Sequence, residues 1–194
     1  MDTKSIRMNK SFMIERREQM TVKEDIVEAM ATLARKKRTV FLGENIINSG
    51  RLYGTLEKVP DKRCIEMPIA ENLIAGTAIG LAIAGYHPIC VFQRMDFMLI
   101  AADQIINHAC LMGKMSGGKI KLPIIFRTVK AFLHKDFWVG YQHSKDFTHV
   151  FKPYMSVYEV PKYVGAQEAY AKAYDMKQPV LVVEDYNSYK KEVS

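Results

Sequence analysis

No stretch of the chain reads Gly-x-Gly-x-x-Gly, no P-loop is present and no Gly-x-Ser-x-Gly occurs. The common dinucleotide, nucleotide-phosphate and nucleophile-elbow signatures are therefore missing. His87, His108, His134, His143 and His149 include no pair four residues apart, which removes the helical zinc-binding pair. Cysteine is scarce: Cys64, Cys90 and Cys110 show neither Cys-x-x-Cys nor metal-site spacing. An odd count argues against a disulfide framework and for free thiols in a reducing compartment. Asp, Glu, Lys and Arg are all absent from residues 73–92, a run long enough to suggest a membrane span. Gly85-Tyr86-His87-Pro88 interrupts it, and a buried helix followed by a buried strand fits better. No secretory signal, internal repeat or low-complexity tract is visible.

What is present describes a globular chain. Of 194 residues, 48% are hydrophobic and 25% charged, enough for one domain with a real core. The formal charge of +7 comes from basic residues that are dispersed. Arg16-Arg17 and Arg35-Lys36-Lys37-Arg38 are short clusters, and the second falls near a helix C-terminus, where cations are favoured. Anionic ligands or an acidic partner chain explain this charge better than nucleic acid does. Residues 1–20 read as an arm or tail, and 21–194 as the domain.

Thr21 and Glu24 have the spacing of a capping box, and Ile26, Val27, Met30, Leu33 and Ala34 continue with helical periodicity. Strands are predicted over 39–43, 88–92, 122–127, 157–160 and 179–184. Helices are predicted over 71–85, 97–113, 146–151 and 165–174. Short apolar strands separated by helices point to a doubly wound parallel sheet of the α/β class, buried on both faces. Ligands of such sheets bind beyond the carboxyl ends of the strands. That rule selects Glu44, Gln93 to Phe97, residues 128–144 and residues 185–187. Glu71, at the mouth of the uncharged 71–85 helix, faces a loop region as well. Taken alone, it is an acid complementing the helix dipole, worth about 0.3–1 kcal/mol.

Several segments together carry a more specific message. Ile65-Glu66-Met67-Pro68-Ile69-Ala70-Glu71, then Gly76, Gly80 and Gly85, then Pro88-Ile89 resemble the pyrimidine-binding domain of thiamine-diphosphate enzymes. The resemblance is closest to the beta chain of the decarboxylating component of 2-oxo acid dehydrogenase complexes. Phe41-Leu42-Gly43-Glu44, Asp96-Phe97, Asp103-Gln104-Ile105-Ile106-Asn107, Met115-Ser116-Gly117-Gly118, Pro123-Ile124-Ile125-Phe126-Arg127, Gln142-His143-Ser144 and Pro179-Val180 agree in the same order. The resemblance implies that Glu71 bonds N1′ of the aminopyrimidine, favouring the tautomer that takes the proton from C2 of the thiazolium. Burial would raise its pKa, and the helix N-terminus would lower it. It further implies that Phe97 packs on the pyrimidine ring and that His143 lies near the thiazolium and substrate, where acid–base help is worth about 10²–10⁴ in rate. Without the resemblance, Phe97 reads as core and His143 as a loop residue. Glu44 and Gln93 join the cofactor-binding set. The small residues of the 71–85 helix read as tight packing, at a subunit interface in the family.

The chain also departs from that pattern. It contains no Gly-Asp, the start of the family's diphosphate-binding signature, so Mg2+ and the diphosphate are expected on a partner chain. It ends soon after Glu184, where the family continues into a further domain, and docking to a large complex is correspondingly less expected. Residues 129–141 are bulky and basic. There Lys130, His134 and Trp138 are candidates for holding an anionic substrate, and packing on the partner is the equal alternative. The expectation is a cytoplasmic pyrimidine-binding subunit of a split thiamine-diphosphate enzyme, assembled two plus two with a diphosphate-binding subunit. It would act on a small 2-oxo acid or sugar by decarboxylation or by acyl-anion or ketol transfer. The alternative is a regulatory or interaction subunit that keeps the fold without the reaction.

Overall fold

The computed structural model describes residues 20–48, 50–130, 133–134, 137–138, 140–162 and 164–193. The expected arm lies almost wholly outside them. Six strands form one parallel sheet: β1 (Thr39–Gly43), β2 (Cys64–Glu66), β3 (His87–Phe92), β4 (Ile125–Lys130), β7 (Ser156–Val160) and β8 (Val180–Asp185). Their order is β2-β1-β3-β4-β8-β7. A two-stranded antiparallel hairpin, β5 (Leu133–His134) with β6 (Phe137–Trp138), follows β4.

Helices cover both faces of the sheet. On one lie α1 (Val22–Arg35) and α6 (Ala166–Asp175), burying Ile26, Met30, Leu33 and Ala169 with Phe41, Val91, Ile125 and Val182. On the other lie α2 (Glu71–Ile83) and a helical run with Ile74, Ala78, Ile105 and Ala109 packed on Leu42, Cys90, Phe126 and Val183. Odd and even residues of each strand thus enter different cores, which is why the strands read as continuous apolar runs. The capping box forms: Glu24 N–H donates to Thr21 Oγ1 at 3.3 Å, and Thr21 N–H to Glu24 Oε2 at 2.7 Å. Asp25, 1% exposed, accepts from Ala166 N–H at 2.6 Å and Gln167 Nε2 at 2.8 Å. It caps α6 from α1, because Gly165 at the N-cap position has no side chain to do so.

Three elements differ from the expectation. β4 begins three residues late: Pro123 has no N–H to offer a ladder, and pairing starts at Ile125 opposite Ile89. The 97–113 helix is composite: α3 (Met95–Met98), a 3-10 turn (Leu99–Ala101), a π-helix (Gln104–Cys110) and α4 (Leu111–Met115). β2 and the β5–β6 hairpin lacked the apolar runs that would reveal them. The remaining helix, α5 (Thr148–Phe151), is one turn. No helix among the described residues is long and apolar enough to cross a membrane.

Gly43 ends β1 where nothing larger fits: a Cβ there would lie 2.4 Å from the Val91 carbonyl oxygen. This close approach carries the chain directly into Glu44.

Candidate functional site

The carboxyl ends of β1 and β2 bring three glutamates together. Glu66 accepts backbone N–H bonds from Asn45 at 2.5 Å, Ile46 at 3.1 Å and Ile47 at 2.7 Å. The turn after Glu44 is thus wrapped around one carboxylate. Glu44 and Glu71 are each 6% exposed. Burial pushes the Glu44 carboxyl above the usual carboxylate range, and the nearby charges of Glu71 and Glu66 push it the same way. Glu71 opens α2 behind Ala70, which supplies no capping side chain. Among the described residues, none donates a hydrogen bond to the Glu71 carboxyl.

The carboxyl end of β3 supplies the next groups. The Gln93 carbonyl accepts from the Tyr53 hydroxyl at 3.4 Å. That hydroxyl also bonds the Arg94 side chain, and burial raises its pKa. Tyr53 is presented by a left-handed turn: φ is 83° at Gly50, 47° at Arg51, 48° at Leu52, 57° at Tyr53 and 79° at Gly54. Such a conformation costs non-glycine residues about 1–2 kcal/mol each. It is anchored from below by an ion pair that is wholly buried. Arg127 of β4 donates to both Glu184 oxygens, at 2.8 and 2.9 Å. Arg127 Nη2 also donates to Thr55 Oγ1 at 2.6 Å, and Thr55 donates to the Leu52 carbonyl at 2.7 Å. Tyr170 and Tyr189 complete the Glu184 shell at 2.5 and 2.6 Å. Burial pushes both tyrosine hydroxyls well up, and the Glu184 charge adds to it.

Phe97 and His143 come together: their ring centroids are 5.2 Å apart at 81°, edge to face. The Arg94 guanidinium stands 6.0 Å from the Phe97 centroid. His143 ends a 3-10 turn (Tyr141–His143) opened by Gly140 at φ 90°. Its Nδ1 is buried without a hydrogen-bond partner among the described residues. Glu71 follows β2, Phe97 follows β3 and His143 follows β4 and its hairpin, so all three come after carboxyl ends of the parallel strands.

Lys130 does not project a spare charge into this edge. Its Nζ is 2.6 Å from Asp146 Oδ2 and 2.7 Å from Glu159 Oε2. Burial opposes its ammonium, yet these two carboxylates hold its pKa above the ordinary value. His134 and Trp138 are placed by backbone pairing in β5 and β6, and their side chains lie outside the described ones. Glu66, Tyr53 and the Arg127–Glu184 pair were given no site role from sequence, and Arg94 entered only as part of the 93–97 segment. Their partners are distant in the chain, and no local spacing announces them. Among the described residues, no group of three or more His, Cys, Asp or Glu side chains is placed to hold a metal ion.

The family model described as "Transketolase, pyrimidine binding domain" matches residues 18–132. The mitochondrial pyruvate dehydrogenase E1 component subunit beta of Caenorhabditis elegans is 37% identical over 134 residues, 66% of this chain and 37% of the relative. The Bos taurus protein of that name is 41% identical over 114 residues, 56% of this chain and 32% of the relative. The Rickettsia conorii subunit beta is 36% identical over 135 residues, 67% and 40% respectively. The chain therefore spans only about a third to two fifths of the curated relatives it matches. Among solved structures, a split gene transketolase in an inactive beta4 tetramer matches with TM-score 0.63 at 20% identity, over 86% of this chain and 51% of that one. A thiamine diphosphate-dependent 4-hydroxybenzoylformate decarboxylase from Rhodococcus jostii matches with TM-score 0.60 at 17% identity, over 89% and 31%. At these identities the two structures establish the fold alone.

Proposed function

The chain belongs to the family of transketolase pyrimidine-binding domains, and on that premise we propose that it is the pyrimidine-binding subunit of a split thiamine-diphosphate enzyme. The observation that carries the reading is the Glu71 carboxyl: 6% exposed, at the first turn of α2, with no hydrogen-bond donor among the described residues. A carboxyl held this way is suited to share a proton with an aminopyrimidine nitrogen. The residues fit that half of the cofactor and not the other half. Glu71 and the nearby Glu44, with Phe97 as the ring platform and Gln93 just past the end of β3, match a pyrimidine. The diphosphate and Mg2+ fall to a partner chain in this reading, since no Gly-Asp occurs in the sequence. When bound, the cofactor would supply the nucleophilic carbon for chemistry at a carbonyl donor.

This chain's residues then act as follows. Glu71 holds the proton at the pyrimidine nitrogen. Glu44, whose pKa is raised by burial and by the Glu71 and Glu66 charges, keeps a second proton-binding carboxyl beside it. Phe97 fixes the ring plane, and His143, packed on Phe97, meets the donor. The names of the curated relatives, beta subunits of a pyruvate dehydrogenase component, favour a 2-oxo acid as donor and a hetero-oligomer, two plus two with the diphosphate-binding subunit, as the working form. Residues 21–194 form the domain in this reading. The experiment is Glu71→Gln in the assembled complex. Turnover is expected to be abolished with assembly intact; unchanged turnover would sink the assignment.

A further inference from the structure

The inference rests on the reading above for His143 and concerns how that side chain is held. Lys130 is the last residue of β4, and its side chain is 14% exposed. Asp146, one of its two carboxylate partners, stands three residues past His143. The other Asp146 oxygen accepts from Thr148 N–H at 2.9 Å. The same segment is tied from the opposite side: Lys145 N–H donates to Asp96 Oδ1 at 3.2 Å, and Phe147 N–H to Met95 Sδ at 3.3 Å. Met95 and Asp96 immediately precede Phe97, whose ring meets His143. Glu159, the second partner of Lys130, lies on β7.

We propose that Lys130 is a positioning residue: through Asp146 it fixes the 143–148 segment to the ends of β4 and β7, and so seats the His143 imidazole against Phe97. An ammonium suits the task, because its three donors can reach two separate carboxylates. Exposed ion pairs contribute little; here the ammonium and Glu159 are largely buried, at 14% and 10% exposure, and Asp146 reaches in from a half-exposed position. Burial alone would raise the Asp146 carboxyl; bonds from Lys130 and Thr148 overcome that and hold it at about 2. The basic residue that looks from sequence like a substrate anchor is thus a support for the histidine.

The test uses the complex assembled with its diphosphate-binding partner, carrying Lys130→Met or Lys130→Arg, with 13C-labelled histidine in this chain. In Lys130→Met the His143 imidazole signal shifts or broadens while those of His87 and His108 stay in place. The thiamine-diphosphate Kd stays within about twofold. With pyruvate as donor and ferricyanide as electron acceptor, kcat falls at least about tenfold with little change in KM, and Lys130→Arg recovers it to within about threefold. An unmoved His143 signal, or equal movement of the His87 and His108 signals, overturns the proposal. If the wild-type complex fails to bind thiamine diphosphate or to turn over, the proposed function falls, and the His143 signal alone decides the role of Lys130.

Discussion

Replacing Glu184 by glutamine removes one charge and almost no volume from a fully buried polar group. Arg127 and Glu184 are both 0% exposed and meet through two bonds of 2.8 and 2.9 Å. At an effective dielectric near 20, opposite charges at this separation attract by roughly 6 kcal/mol before the cost of removing both from water. Deleting one partner leaves the other charge buried without compensation, which costs about 3–5 kcal/mol. In a domain of this size that corresponds to a melting temperature roughly 6–20 °C lower. Tyr170 and Tyr189 donate to different Glu184 oxygens, so the single oxygen of the glutamine accepts from one of them, and the loss reports the charge together with that one exchanged bond. Urea unfolding followed by circular dichroism gives the free energy directly. A loss below about 1 kcal/mol would refute the reasoning, since Arg127 would then have tolerated a buried unpaired charge. Because Arg127 also holds Thr55, and Thr55 the Leu52 carbonyl, the variant should expose the turn bearing Tyr53 to faster amide exchange.

Two further predictions follow from titratable groups of opposite sign. Glu44 has a raised folded-state pKa, caused first by burial and then by Glu71 and Glu66. Its contribution is fully present below the unfolded carboxylate pKa and is lost as pH rises through the folded value. Glu44→Gln should therefore raise the melting temperature at pH 7–8, with the gain vanishing in acid; a lower melting temperature at pH 7–8 would contradict it. His87 is stacked on Tyr174 at 3.8 Å and held down to about 4 by burial and then by Lys177 and Lys36. Here stability is present above the unfolded histidine pKa near 6.5 and declines as pH falls toward 4, by up to roughly 3 kcal/mol. His87→Phe should flatten that part of the pH–stability curve, and an unchanged slope would show that His87 is not its source.

The parts of this molecule legible in its sequence are those with local causes. The Thr21–Glu24 capping box forms because both partners lie within one helical turn. β1, β3 and β8 stand out because burial on both faces leaves uninterrupted apolar runs. The shift of β4 was readable in principle from Pro123, which cannot donate to a ladder. The acid at the mouth of α2 was visible, whereas its burial beside Glu44 depends on the close approach of Gly43 to Val91. Lys130 marks the limit of such reading: the charge is plain in the sequence, but its two carboxylates lie 16 and 29 residues away. The Arg127–Glu184 pair, 57 residues apart, likewise exists only through the β4–β8 pairing.

The central claim is that this chain supplies the pyrimidine half of a shared thiamine-diphosphate site. Native mass spectrometry tests it most directly, on the tagged chain purified from its own cells with thiamine diphosphate and Mg2+ present. The account predicts a second, different chain and about one cofactor per pair. A homo-oligomer without cofactor or partner, under conditions that preserve weak complexes, would contradict it and return Glu71 to the role of a helix-dipole acid.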